Sequence, residues 1–171
     1  LKPDDVYARE VLRAVLARDS TRSEGIVAVT EVPRLPGEAV IDLRDPAHRR
    51  YLGGGWSYTE AWGTWGTGDA SEVVFSLDGV ADGSLIVRAT APSRPDQPQD
   101  MSVFLNDRFL VRWTFTRPAW AWETFRVRAP ASAFRRGANR LTFRYACSAP
   151  ATQEDRRPVA VAFERIALGP P

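Results

Sequence analysis

The 171-residue chain contains one cysteine, one histidine, one methionine and one lysine. Cys147 has no partner for an internal disulfide, and a cysteine within a strand run reads as an inert core residue. His48, alone in an arginine-rich turn at Pro46–Arg50, leaves minimal material for a zinc site or a Ser-His-Asp triad. No run of 18 apolar residues occurs, so no membrane-spanning helix of its own is expected. A dominant charge is missing too: Lys+Arg 23 against Asp+Glu 21 gives a net charge of +2, and no basic cluster marks a nucleic-acid surface. Gly53-Gly54-Gly55 is not followed by the Lys-Ser/Thr pair of a phosphate loop. Lys2 is the only lysine, and the heavy use of arginine and alanine reads as the coding bias of a GC-rich bacterial genome.

Aromatic residues and turn signals are abundant. Three of the six tryptophans, Trp56, Trp62 and Trp65, lie in Gly53–Gly66 with five glycines around them. A loop of that composition either plugs one end of a core or presents flat rings to a ligand. In the second case Trp56, Tyr58, Trp62 and Trp65 stack on the apolar faces of sugar rings, with Glu60 and Asp69 as hydroxyl acceptors. A second aromatic group, Trp113, Phe115, Trp120 and Trp122, surrounds Arg117-Pro118. Trp113 and Phe115 share one strand face, at least two of the four rings are expected in the core, and Trp120 and Trp122 are candidates for docking a partner protein.

From about residue 38 the pattern is β. Period-two alternation marks Leu85–Ala89, Thr124–Arg128 and Leu141–Tyr145, and Val159, Val161 and Phe163 alternate with alanines. Strands are also expected at Ala39–Leu43, Glu72–Leu77, Ser102–Leu105 and Phe109–Phe115. Asp45 and Pro46 start a short helical turn, and Asn106-Asp107 closes a two-residue hairpin. About eight or nine strands with no crossover helices between them predict an all-β antiparallel sandwich. Before it, residues 4–18 read as an amphipathic helix with Val11, Leu12, Val15 and Leu16 on its apolar side, a candidate docking face. Residues 19–37 read as a linker, with a short strand at Ile26–Val29. The expected division is therefore 1–37 and 38–171. A start at Leu1 rather than methionine suggests a processed product or the ordered part of a longer chain.

Three pieces of sequence resemble the bacterial carbohydrate-binding-module-like jelly-roll domains appended to membrane-bound sulfatase-like proteins and glycosyltransferases. They are Gly55-Trp56-Ser57…Trp62-Gly63-Thr64-Trp65, the hairpin Val103–Arg108 with Asn106-Asp107 where the family has Asn-Gly, and Gly137-Ala138-Asn139-Arg140-Leu141-Thr142-Phe143 followed by Asp155-Arg156-Arg157. The resemblance spans about residues 39–168. It implies a jelly-roll-like sandwich outside the cytoplasm, periplasmic or at the cell surface, that recognises a glycan or a protein without catalysis.

Glu60, Asp69, Glu123 and Glu154 offer no spacing that selects a glycosidase pair. Asp42, Asp45 and Asp69 show no calcium-loop pattern. Neither an enzyme nor a cofactor is expected. Two functions remain open: a glycan-binding module working through the tryptophan stretch, or a structural accessory subunit docked on a larger membrane-associated assembly, such as an energy-transducing or photosynthetic complex.

Overall fold

Alternation of apolar and polar residues along most segments gives each strand one face to bury, and the computed structural model, which describes residues 32–36, 39–92 and 98–171, stacks those faces in two antiparallel sheets. The strands are β1 (Ala39–Asp42), β2 (Trp56–Glu60), β3 (Gly63–Thr67), β4 (Ala70–Leu77), β5 (Gly83–Thr90), β6 (Asp100–Leu105), β7 (Arg108–Thr114), β8 (Glu123–Ala129), β9 (Gly137–Tyr145), β10 (Ala149–Pro150) and β11 (Pro158–Gly169). One sheet runs β2-β3-β11-β5-β8, with β1 and β10 also paired to β11; the other runs β4-β9-β6-β7. Most successive strands change sheets, which gives the jelly-roll-like sandwich expected from the sequence. The predicted helix at 4–18 with Val11, Leu12 and Val15, the strand at Ile26–Val29 and most of the Pro92–Pro98 loop lie outside the described residues. Residues 32–36 already belong to the sandwich edge: Arg34 bridges Ser76 in parallel, and Leu35 is buried in the core.

The core lies between the sheets and is centred on Phe75, Phe143 and Phe163, all fully buried. Two local predictions recur in atomic detail. Asp45 caps the 3-10 turn Pro46–Tyr51, its carboxylate accepting the Ala47 amide at 2.8 Å. Asn106 and Asp107 both take positive φ, 51° and 67°, as a two-residue primed turn between β6 and β7 requires.

The structure differs from the sequence reading in two places that shape the site. The tryptophan stretch is a β-hairpin, β2–β3, rather than a loop. Its glycines hide the strand signal because they mark close approach of backbone and core. A Cβ on Gly63 would overlap the Phe163 carbonyl, and one on Gly66 the Tyr145 hydroxyl. Strand β11 also does not keep Val159, Val161 and Phe163 on one face. Register shifts lie between Val159 and Val161 and between Phe163 and Arg165. They leave Val161, Phe163 and Ile166 in the main core, while Val159 and Ala162 join a separate apolar cluster with Trp65.

Candidate functional site

That separate cluster is the base of the site. Trp65 of β3 is a cross-strand neighbour of Ala162 of β11, and both are buried, with Val159, beneath Trp62, Trp122 and Ala151. Trp62 sits in the β2–β3 turn, and its ring meets Trp65 edge-on at 5.4 Å between centroids. The connection from β7 to β8 carries Trp120 and Trp122 over the same spot. Trp120 lies edge-on to Trp65 at 5.6 Å, and Trp122 is tilted against Trp62 at 6.4 Å. The guanidinium of Arg88 on β5 approaches the face of Trp122 at 5.8 Å, and Arg88 is itself ion-paired with Glu164. Two aromatic groups read separately in the sequence, one for ligand and one for partner, thus form one assembly.

Each group also splits. Trp56 turns toward the main core, edge-on to Phe163 at 5.1 Å and to Phe143 at 6.5 Å, and its indole N–H donates to the Glu72 carbonyl at 2.7 Å. Trp113 and Phe115 pack inward on Phe125, at 5.1 and 4.9 Å. Tyr58 is exposed and lies under the guanidinium of Arg157 at 4.3 Å. Asp69 is in the exposed β3–β4 turn and does not line the aromatic cleft.

The cleft bounded by Trp62, Trp65, Trp120 and Trp122 has a volume of about 430 Å³, within the range of small-ligand sites. Its polar lining comes from three places: Glu60 at the end of β2, Thr90 at the end of β5, and Asp155 and Arg157 in the loop between β10 and β11. The loop is braced internally. The Thr152 hydroxyl accepts the Asp155 amide at 2.8 Å, and Arg157 Nε donates to both Asp155 carboxylate oxygens, at 2.9 and 2.8 Å. These bonds hold the Asp155 carboxyl below the usual carboxylate range and push the Arg157 guanidinium further up. Glu60 Oε2 accepts from the Trp62 indole N–H at 3.1 Å.

Three buried polar atoms of this lining have no hydrogen-bond partner: Glu60 Oε1, Arg157 Nη1 and Thr90 Oγ1. Glu60 Oε1 and Arg157 Nη1 face each other as an ion pair at 3.7 Å, too far for a hydrogen bond, and a buried polar atom left without one costs about 1–3 kcal/mol unless a ligand or solvent meets it. Trp120 adds a local cost. It has φ of 69°, a left-handed conformation unfavourable for a bulky side chain, and the residue is 58% exposed at the rim. Strain of this kind collects at binding sites.

Thr90, Ala162 and Trp120's backbone conformation carried no sequence signal as site features. Asp155 and Arg157 stood in a family-like motif without a role assigned to them. Among the other acidic candidates, Asp42 is bound by Arg44, Asp45 by the Ala47 amide, and Glu123 accepts from Thr116 and the Arg117 amide. No group of three or more metal-ligating side chains gathers among the described residues. Likewise, no helix among them is long and apolar enough to cross a membrane.

No family model matches the chain, and no curated protein matches it. Solved structures do. A family 35 carbohydrate binding module from an environmental isolate is 16% identical, covering 82% of this chain and 96% of that one, with a TM-score of 0.42. The GH26-CBM35 β-(1,4)-mannanase of Podospora anserina is 14% identical over 79% of this chain and 28% of that one, with a TM-score of 0.49. Dimeric latent PorU from Porphyromonas gingivalis is 15% identical over 86% of this chain and 14% of that one, with a TM-score of 0.50. The chain therefore spans nearly all of the first and a minority of the other two. At these identities the likeness, carried by PorU, is one of fold, with the matched part making up 14% of that longer chain.

Proposed function

We propose that this chain is a non-catalytic carbohydrate-binding module whose ligand site is the four-tryptophan cleft. One observation carries the reading: Glu60, Arg157 and Thr90, each with a buried polar atom that has no hydrogen bond, line a pocket walled by Trp62, Trp65, Trp120 and Trp122. Sugars present apolar C–H faces ringed by hydroxyls, so aromatic walls with a few unsatisfied donors and acceptors fit them. The resemblance of the sequence to carbohydrate-binding-module-like domains agrees with this, although a sandwich by itself hosts many functions. The arrangement of the carboxylates supports a non-catalytic role. Of Glu60, Asp69, Glu123 and Glu154, Glu60 alone lines the cleft, and the carboxyl of Asp155 beside it is held below the usual carboxylate range by its hydrogen bonds to Arg157. Work outside the cytoplasm, where polysaccharides are met, is part of the same reading.

The test is calorimetric titration of the chain, and of Trp62→Ala and Trp122→Ala, with an oligosaccharide panel. At least one sugar is expected to bind, and each variant to bind it about tenfold or more weakly, a loss of about 1.4 kcal/mol. A second reading, a structural subunit docked on a larger membrane-associated assembly, is favoured by the exposed ring of Trp120. Retention of a membrane complex by the chain, without binding of any sugar, would decide for it.

A further inference from the structure

We propose that the cleft selects uncharged sugars, and that a single ring hydroxyl is read by bridging Glu60 and Arg157. The inference rests on the glycan reading and specifies its ligand. The guanidinium of Arg157 is held on two sides. Nε and Nη2 are taken by Asp155, and the plane lies over Tyr58. Its remaining nitrogen, Nη1, faces Glu60 Oε1 at 3.7 Å. That gap is too wide for a hydrogen bond, and neither atom has another partner. Glu60 cannot close it freely, because Oε2 is anchored to the Trp62 indole. A donor and an acceptor are thus fixed side by side, buried and separated.

A group that satisfies both must accept from Nη1 and donate to Oε1, and it must reach both from one side, since 3.7 Å leaves no room between them. A hydroxyl does this with one oxygen. A carboxylate accepts from Nη1 but offers no proton to Oε1, and it adds a negative charge to a lining that already holds Glu60 and Asp155 against Arg157. An ammonium donates to Oε1 but leaves Nη1 facing another donor. Ligands bearing either charge are therefore disfavoured at this position. Thr90 is 2% exposed and its Oγ1 has no hydrogen-bond partner, which again suits a hydroxyl, since Oγ1 both donates and accepts. The rings set the shape. Trp62 and Trp65 meet at 75°, and Trp65 and Trp120 at 81°, forming corners rather than a flat shelf. Such a cleft takes a chain end or a short oligosaccharide in preference to the broad face of an insoluble polymer.

The experiment titrates the full chain with neutral gluco-, manno-, xylo- and galacto-oligosaccharides and with oligosaccharides of glucuronic and galacturonic acid. The same titrations are run on Glu60→Gln, which keeps an acceptor for the Trp62 indole but removes the charge. Binding of a neutral sugar, at least tenfold tighter than any uronide, is expected. Glu60→Gln should weaken the neutral sugar about tenfold while narrowing or reversing the preference over uronides. A structural role for Glu60 would instead weaken both classes equally and lower the melting temperature. A monodeoxy neutral sugar lacking the bridging hydroxyl should lose about tenfold on the native chain and little further on Glu60→Gln. If uronides bind as tightly as neutral sugars, the selection for uncharged sugars is overturned and the glycan reading stands. If no sugar of either class binds, both are overturned.

Discussion

Trp56 and Trp62 lie six positions apart in one aromatic stretch, and the structure sends one to the main core and the other to the cleft. Substituting Trp56 by Phe tests that division. The variant loses the hydrogen bond from the indole N–H to the Glu72 carbonyl, 2.7 Å long, which ties β2 to β4 across the sandwich. The carbonyl is not left orphaned, because the Gly53 amide also donates to it at 2.8 Å. The loss is then the net value of one hydrogen bond, about 1 kcal/mol, without the larger penalty of an unsatisfied acceptor. The smaller ring also gives up part of its edge contacts with Phe163 and Phe143, about a further 1 kcal/mol. A total of about 2 kcal/mol corresponds to a fall of about 4–8 °C in the melting temperature of a domain this size. Affinity for the sugar should not change, since Trp56 does not line the cleft. Thermal melts followed by near-UV circular dichroism, with parallel calorimetric titrations, measure both quantities. Trp62→Ala should show the reverse pattern, with weak effects on melting and a large loss of binding. A Trp56→Phe variant that melts like the native chain but binds tenfold more weakly would refute the division.

Asn139, 3% exposed, accepts from the Arg135 amide and Asn106 Nδ2 and donates to the Arg135 and Gly137 carbonyls, all between 2.7 and 2.9 Å. Asn139→Ala should therefore cost about 2–4 kcal/mol in urea unfolding, with Asn139→Asp intermediate; a loss below about 1 kcal/mol would show that the network is dispensable. Asp42 has its carboxyl lowered to about 2, chiefly by the Arg44 side chain that hydrogen-bonds it. Its folded pKa is below its unfolded value, so its contribution is complete above about pH 4 and is lost as pH falls toward 2. Discounted for its partial exposure, that contribution is about 1 kcal/mol, and it should vanish from the pH dependence of unfolding in Asp42→Asn; an unchanged acid limb would contradict it.

Most of the strands were legible because their faces differ. Leu141, Phe143 and Tyr145 alternate with polar residues, and all three are buried on one side of β9. The same logic failed at β3, where Gly63 and Gly66 carry no side chain to alternate. It failed again at β11, where register shifts turn Val159 away from Val161. The site was half legible. Tryptophan density singled out the two stretches that line the cleft, but nothing in the spacing separated Trp56 from Trp62 or joined Trp62 to Trp122. Arg157 belonged to a recognised motif, yet its relation to Glu60 depends on a loop folding back across the sheet.

The amino-acid sequence by itself determined the class of the protein. Period-two alternation, primed-turn residues and the lack of crossover helices allow little besides an antiparallel sandwich, because these are local consequences of backbone geometry. Only the tertiary structure decided where a ligand could be held. The cleft draws on β2, β3, β5, the β7–β8 connection and the loop before β11, segments brought together by sheet order and bulges that no local pattern encodes. Its unsatisfied atoms exist only after folding, because in the unfolded chain Glu60, Thr90 and Arg157 are separately solvated, and burial at fixed separation leaves them short of partners.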